Sequence, residues 1–202
     1  MDKFKINGPS KIRGEISISG SKNAALPILA ATLLFDKNVT IKNLPRVKDI
    51  DTMLNLLKSL GRKITFKNNK KIATISKGKK NNSFAPYSLV KTMRAGILVL
   101  GPLLAKNKKA KVSSPGGCSI GVRPIDIHLK AISKLGVKIQ IEKGYVNAKA
   151  QEGLVGSEIR FSKISVGATE NCILAACLAK GTTTIKNCAI EPEIKDLTNF
   201  LK

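Results

Sequence analysis

Residues 60–64 read Leu-Gly-Arg-Lys-Ile, and residues 135–139 read Leu-Gly-Val-Lys-Ile. Two tetrapeptides also occur twice each: Ile-Leu-Ala-Ala at 28–31 and 173–176, and Thr-Ile-Lys-Asn at 40–43 and 184–187. Repetition of this kind indicates a fold assembled from copies of one supersecondary unit. We therefore interpret the chain as successive copies of a unit of about seventy residues.

The first copy predicts the element order β-α-β-α-β-β. Its elements are a strand at 15–19, an apolar helix at 23–34, a strand at 39–42, a helix at 50–59, and strands at 63–66 and 72–75. The alternation at 15–19 is typical of a strand, and the apolar spacing at 50–59 is typical of a helix. Gly61 is expected to end that second helix at the C′ position.

The second copy contains predicted helices at 89–104 and 125–133 on either side of a loop rich in glycine. The third copy begins near Ser157, has a helix at 169–178, and enters its second helix at Glu193. Both earlier copies continue from this helix with Leu-Gly-x-Lys-Ile and a strand pair, so we expect the third unit to be truncated. The predicted fold class is α/β, built from repeated β-α-β-α-β-β units.

The charge of the chain raises the question of nucleic-acid binding. Among 202 residues, 36 are basic and 13 are acidic, which gives a net charge of +23. The lysines are dispersed and mixed with asparagine and isoleucine, and we find no helix-turn-helix, zinc-finger or aromatic RNA-stacking pattern. A basic nucleic-acid-binding protein therefore stays as the less favoured alternative, because only the net charge supports it.

The cysteines and the N-terminus indicate the compartment. Cys118, Cys172, Cys177 and Cys188 follow no CxxC spacing, and no targeting pattern is present at the N-terminus. The longest apolar stretch, 24–35, is about half the length that crosses a bilayer. We expect a soluble cytoplasmic protein without a membrane partner, in which Cys172, Cys177 and Cys188 are small core residues.

The loop at 113–124 reads Ser-Ser-Pro-Gly-Gly-Cys-Ser-Ile-Gly-Val-Arg-Pro. Its glycines let the backbone approach a ligand closely. Cys118 stands near its centre, and a neighbouring cation such as Arg123 favours the thiolate form of a cysteine. The loop predicts a reactive cysteine that meets an anionic substrate.

Other single residues suggest binding or structural roles. Lys22 and Asn23 follow a Gly-Ser turn and open the predicted helix at 23–34, a position that suits anion binding. Arg94 lies within a predicted apolar helix, so its guanidinium must find an anion or leave the core. His128 is the single histidine, and we interpret it as a structural residue with satisfied hydrogen bonds, because no second ligand lies at metal spacing. No metal site is predicted.

Five stretches occur in an order that resembles the UDP-N-acetylglucosamine enolpyruvyltransferases. They are Ile-Ser-Gly-Ser-Lys-Asn-Ala-Ala-Leu-Pro at 18–27, Ala-Pro-Tyr-Ser-Leu-Val-Lys-Thr-Met-Arg-Ala at 85–95, the loop at 115–124, Ser-Val-Gly-Ala-Thr at 165–169, and Glu-Pro-Glu-Ile at 191–194. The resemblance runs from Lys3 to the last residue. It implies an inside-out α/β barrel with two lobes of three units, of which this chain is the N-terminal half. Residues 1–21 would belong to the opposite lobe, and residues 22–202 would form the lobe that carries the cysteine loop, incomplete at its C-terminus.

The resemblance implies transfer of the enolpyruvyl group of phosphoenolpyruvate to the 3′-hydroxyl of UDP-N-acetylglucosamine with release of phosphate, the first committed step of peptidoglycan synthesis. It implies no cofactor. Cys118 would be the general acid and the residue that fosfomycin captures covalently. The resemblance assigns substrate binding to Lys22, Asn23, Arg94, Arg123, Pro124, Ile125, Asp126, Ile127, Lys163, Ser165, Val166 and Gly167. Glu191 and Glu193 match an acidic pair of the family, and we assign neither a catalytic role.

By the same resemblance, the aspartate that serves as general base and several arginines lie in the missing half. Half a cleft does not exclude water from the intermediate, so we expect the 202-residue chain alone to be weakly active or inactive. A separately encoded C-terminal half is one expected partner. The alternative is a truncated remnant without catalytic activity.

Overall fold

Three similar groups of helices and strands follow one another in the computed structural model, which describes residues 3–115 and 125–202. The first unit comprises α1 (Lys22–Ala31), continued by a 3-10 turn (Thr32–Leu34), then β1 (Val39–Ile41), α2 (Lys48–Ser59), β2 (Arg62–Lys67) and β3 (Ile72–Lys77). The second comprises β4 (Phe84–Ala85), α3 (Tyr87–Val90), a 3-10 segment (Arg94–Val99), α4 (Leu100–Asn107), β5 (Lys109–Ser113), α5 (Asp126–Ser133), β6 (Lys138–Glu142) and β7 (Tyr145–Lys149). The third comprises β8 (Glu158–Arg160), α6 (Val166–Ala176), β9 (Thr184–Lys186) and α7 (Pro192–Leu201).

The sheets repeat the same pairing pattern. The first sheet has the order β1-β3-β2, and the second has the order β4-β5-β7-β6. In both, the last strand of the unit lies between its two antiparallel neighbours. β4 pairs with β5 in parallel, and β8 pairs with β9 in parallel, as the β-α-β part of the unit requires. The predicted repeat is confirmed by this shared topology.

The centre of the hydrophobic core is formed by helices packed against one another. Leu29 of α1, Leu104 of α4 and Leu174 of α6 are fully buried. α4 packs against α6, and α1 packs against α2 and α7. The buried helices thus occupy the centre, and the sheets cover them from outside.

The predicted helix at 89–104 is wrong as a single element. The chain forms the short α3, then the 3-10 segment, and only then α4. Met93 has an extended backbone (φ −141°, ψ 110°), which interrupts the helix. The chain then passes so close to Val90 that a Cβ on Gly96 would lie 3.1 Å from a Val90 methyl group. Arg94 therefore begins a helical segment instead of lying within an apolar helix.

Two other predictions differ from the structure. Residues 15–19 do not form a strand; Ile16 is 85% exposed and Ile18 is 75% exposed. No other strand of the described residues pairs with them, so their alternating pattern has no sheet to join. Cys177 is exposed, not a core residue, because α6 ends there, whereas Cys172 is buried as predicted and burial raises its pKa to about 12. None of the helices within the described ranges is long and apolar enough to span a membrane.

Gly61 and Gly136 occupy equivalent places in the first two units and offer a matched test of packing. Both have positive φ, 97° and 86°. A Cβ on Gly61 would collide with the backbone carbonyl of Lys80, whereas a Cβ on Gly136 would meet no heavy atom of the described residues within 4 Å. We expect Gly136→Ala to lower the free energy of unfolding by about 1–2 kcal/mol through backbone strain. Gly61→Ala should cost at least about 1 kcal/mol more, because the backbone must also shift.

Urea unfolding of both variants and the unaltered chain measures this difference. Equal losses in the two variants would contradict the close packing of Gly61 against the Lys80 carbonyl.

Candidate active site

Helical segments from all three units begin around one cavity of about 400 Å³. Its lining includes residues from the first turns of α1, α2, the 3-10 segment, α5, α6 and α7: Lys22, Asn23, Asp49, Arg94, His128, Val166, Gly167 and Glu193. The first backbone N–H groups of a helix lack intrahelical partners, and the helix dipole adds partial positive charge at that end. Convergence of these ends makes the cavity suited to an anionic ligand.

Lys22 is the first residue of α1, and its placement follows from a local cap. Ser21 is the N-cap, and its Oγ accepts a hydrogen bond from the Ala24 N–H at 3.3 Å. The Lys22 Nζ lies 3.0 Å from Asp49 Oδ2, with both side chains partly exposed. An ion pair this exposed is worth less than about 1 kcal/mol, so an anionic ligand can compete for Lys22.

Glu170 is a buried acid on the cavity wall, 5% exposed in the middle of α6. Burial raises its pKa to about 8; nearby Glu193 and Glu191 also raise the pKa, while Arg94 lowers it. At neutral pH the carboxyl is therefore mostly protonated. The cavity thus contains less negative charge than its count of acidic residues indicates. Glu191, at the N-cap of α7, has a buried Oε2 with no hydrogen-bond partner in the described part of the chain.

His128 lies in the first turn of α5 and is 2% exposed. Its Nδ1 lies 3.3 Å from the Asn171 Nδ2, and its Nε2 has no partner within the described ranges. Burial lowers its pKa to about 4; Arg94 lowers the pKa further, and Asp126 raises it. The ring is neutral at physiological pH. The prediction of a satisfied structural histidine holds for one ring nitrogen only.

With this geometry established, the chain can be compared with known proteins. The family model for EPSP synthase (3-phosphoshikimate 1-carboxyvinyltransferase) matches residues 6–202. The chain belongs to this EPSP synthase family. Among curated relatives, a protein of Pelagibacter ubique named UDP-N-acetylglucosamine 1-carboxyvinyltransferase is 67% identical over 201 residues, which cover 100% of this chain and 48% of that protein. A relative of the same name from Acinetobacter guillouiae is 54% identical over 201 residues, which again cover 100% of this chain and 48% of that protein. The chain spans about half the length of the curated relatives it matches.

Two solved structures share the fold. The enolpyruvyl transferase NikO from Streptomyces tendae superposes with a TM-score of 0.79 at 20% identity and covers 96% of this chain and 45% of that protein. EPSP synthase from Acinetobacter baumannii gives a TM-score of 0.72 at 19% identity, and the match covers 90% of this chain and 42% of that protein. The predicted fold class is confirmed.

Part of the substrate-binding set predicted for this member of the EPSP synthase family comes together in the structure. Lys22, Asn23, Arg94, Val166 and Gly167 line the cavity. Ser165 directly precedes Val166 as the N-cap of α6, where its Oγ accepts a hydrogen bond from the Ala168 N–H at 3.4 Å.

The other predicted binding residues lie apart from the lining or outside the described residues. Lys163 is exposed, and Ile125 precedes α5. The Oδ2 of Asp126 lies 4.0 Å from the Nζ of Lys130, and Ile127 is buried in the core. Cys118, Arg123 and Pro124 lie outside the described residues.

Sequence reasoning did not assign Asp49, Glu170 or His128 to the site. For Glu170 a signal was present, since an acid within the apolar helix Val166–Ala176 needs the same explanation that we demanded for Arg94. Asp49 carries no such signal, because an acid in the first turn of a helix is common for capping alone. No group of three His, Cys, Asp or Glu side chains fit to hold a metal occurs among the described residues.

The raised pKa of Glu170 predicts a pH-dependent stability. The fold favours the protonated carboxyl, so this contribution is fully present below the unfolded pKa of 4.5 and is lost as pH rises through about 8. Glu170→Gln keeps the group neutral at every pH. We therefore expect the variant to gain a few kcal/mol of unfolding free energy over the unaltered chain between about pH 5 and about pH 8.

Chemical denaturation at several pH values measures the gain. Glu152→Gln removes an exposed acid and serves as the control, with no comparable pH dependence expected. A constant difference between Glu170→Gln and the unaltered chain would contradict the assignment.

Proposed function

We propose that this chain forms one lobe of an enzyme that transfers the enolpyruvyl group of phosphoenolpyruvate to the 3′-hydroxyl of UDP-N-acetylglucosamine and releases phosphate. The observation that carries the proposal is the match to relatives of that name at 67% and 54% identity over the whole chain. Both substrates are polyanions, and the cavity offers converging helix N-termini together with Lys22 and Arg94.

The chemistry requires a proton donor and anion-binding groups. C3 of phosphoenolpyruvate takes up a proton while the sugar hydroxyl loses its own proton and attacks C2. The tetrahedral intermediate then loses phosphate from C2 and a proton from C3, which restores the double bond of the enolpyruvyl group. We assign the proton donor to Cys118, since a thiol can be tuned to titrate near neutrality. In the sequence, Cys118 lies between β5 and α5, and His128 in the first turn of α5 lines the cavity. Lys22, Asn23 and Arg94 would hold the anionic groups in place.

We also propose that the rest of the cleft comes from a second lobe, either in a longer form of the protein or in a separately encoded chain. Residues 1–21 are the part of this chain that would join that lobe. Five large apolar side chains in this segment are exposed: Phe4, Ile6, Ile12, Ile16 and Ile18. Apolar residues at this density in an exposed segment are typical of a surface that another structure covers.

Fosfomycin labelling tests the proposed site. We expect a single covalent adduct on Cys118, formed faster when UDP-N-acetylglucosamine is present. Cys177 is exposed as a residue, but partial burial of its thiol raises the pKa, so it should stay unlabelled and serves as an internal control. Intact-mass and peptide mass spectrometry of the chain and of Cys118→Ala measure the result.

A fold that unfolds cooperatively but shows no adduct with or without the sugar nucleotide would favour the catalytically inactive remnant. Release of phosphate by the 202-residue chain alone, dependent on both substrates and on Cys118, would contradict the need for a second lobe.

Deletion of residues 1–18 tests the assignment of the N-terminal segment. Residues 3–19 are exposed throughout, and Ser21, which caps α1, is retained. We expect the free energy of unfolding to change by no more than about 0.5 kcal/mol, because little buried surface is removed. A loss of several kcal/mol in urea unfolding would show that the segment packs on this lobe.

A further inference from the structure

A buried imidazole lies on the cavity wall, and a buried amide lies behind it. Asn171 is fully buried in α6, and His128 of α5 is nearly so. Asn171 connects three other elements to α6: the 3-10 segment through Ile97, α4 through Gly101, and α5 through His128. It is thus in a position to set how the helix N-termini are arranged around the cavity.

The hydrogen bonds of Asn171 fix which way its amide faces. Its Oδ1 accepts a hydrogen bond from the Gly101 N–H at 2.8 Å, and its Nδ2 donates to the Ile97 carbonyl at 3.0 Å. A backbone N–H only donates and a carbonyl only accepts, so the reverse orientation would lose both bonds. α4 approaches closely at this point, since a Cβ on Gly101 would lie 2.6 Å from Asn171 Oδ1. The amide is therefore held in one orientation.

This orientation decides the tautomer of His128. The second hydrogen on Asn171 Nδ2 points to His128 Nδ1, at a nitrogen–nitrogen distance of 3.3 Å. Nδ1 must then accept, and a neutral ring places its one proton on Nε2.

Nε2 is the ring nitrogen without a partner among the described residues. His128 lines the cavity together with Arg94, Gly167 and Glu170. The first turn of α6 runs directly against the ring, because a Cβ on Gly167 would lie 3.3 Å from Cε1 and 3.5 Å from Nε2. Buried donors nearly always have an acceptor, and His128 is a lining residue of the cavity, so its unpaired N–H calls for an oxygen from a ligand.

We propose that Asn171 is a positioning residue that holds His128 as the Nε2–H tautomer, and that this N–H donates a hydrogen bond to an oxygen of the anionic substrate bound in the cavity. The identity of the ligand rests on the proposed function. The donor is neutral, so it stabilises a developing or bound negative charge without adding a cation beside Arg94. An imidazole in the other tautomer would present a lone pair to the same oxygen and repel it.

Nitrogen-15 NMR of the histidine ring tests the tautomer directly in the unaltered chain. His128 is the single histidine of the sequence, so one ring spin system is observed. At pH 7 we expect the nitrogen-15 chemical shift of Nδ1 to be that of an unprotonated ring nitrogen and the shift of Nε2 to be that of a protonated one. The reverse pattern, or an equal mixture, would overturn the inference.

Asn171→Asp tests the role of the amide. The new carboxylate still accepts from Gly101, but its second oxygen faces His128 Nδ1, so the ring proton should move to Nδ1 and the two nitrogen shifts should exchange. Asn147→Asp, which changes an amide on β7 that hydrogen-bonds only weakly to Glu142, should leave the ring unchanged. An unaltered ring spectrum in a folded Asn171→Asp protein would refute the positioning role, and the unaltered chain still decides the tautomer if this variant does not fold.

Titration with UDP-N-acetylglucosamine separates this inference from the proposed function. Binding, followed at the backbone amides of Lys22 and Gly167, should move the Nε2 and Hε2 resonances and slow the exchange of Hε2 with water. Binding without any change at Nε2 would overturn the donor role and leave the proposed function intact. An absence of binding would remove the proposed function and the donor role together, while the free-protein spectrum would still decide the tautomer.

Discussion

Burial of three helices in one core is the constraint on which the rest of this structure depends. Helices α1, α4 and α6 carry fully buried leucines and several small residues, including Ala30, Gly101 and Ala175. A helix that is apolar on most sides has to be enclosed, and here the outer helices and the sheets supply the cover. The close contact between Gly101 and Asn171 shows how little space separates α4 from α6. Each unit of the repeat can bury its central helix only against the other units, so the lobe forms as a whole.

The cavity is a consequence of that packing. Equivalent helices of the repeated units begin at the same end of the core. Their N-termini, and the partial positive charges there, therefore meet in one place. Burial at this end also keeps two titratable groups neutral at pH 7, since the pKa of Glu170 is raised to about 8 and that of His128 is lowered to about 4. Lys22 and Arg94 then line the cavity without a large opposing negative charge from Glu170. Electrostatic stabilisation of a reacting anion benefits from donors that are fixed before the ligand arrives.

The chain matches relatives about twice its length, and this bears on how the site would work. One lobe can hold an anionic ligand through helix ends and basic side chains, but enclosure of an unstable intermediate requires a second wall that excludes water. The exposed apolar residues of the N-terminal segment are in keeping with contact to such a wall. Under the proposed function, binding and chemistry are therefore separable properties.

Much of this lobe was determined by the sequence itself. Although the helix predicted at 169–178 begins earlier, at Val166, the duplicated Leu-Gly-x-Lys-Ile stretch predicted the repeat, and residues 18–27 placed Lys22 and Asn23 at a helix start that lines the cavity. These features are encoded within a few neighbouring residues, by periodicity, capping and turn chemistry. The break at Met93, the exposure of Cys177 and the membership of Asp49 and His128 in the site were decided only by the tertiary structure. Each depends on contacts between distant parts of the chain, such as Lys22 with Asp49, 27 residues apart, and His128 with Asn171, 43 residues apart. Local sequence patterns report which face of an element is apolar, whereas the protonation and partners of a buried polar group are set by whatever the fold brings against it.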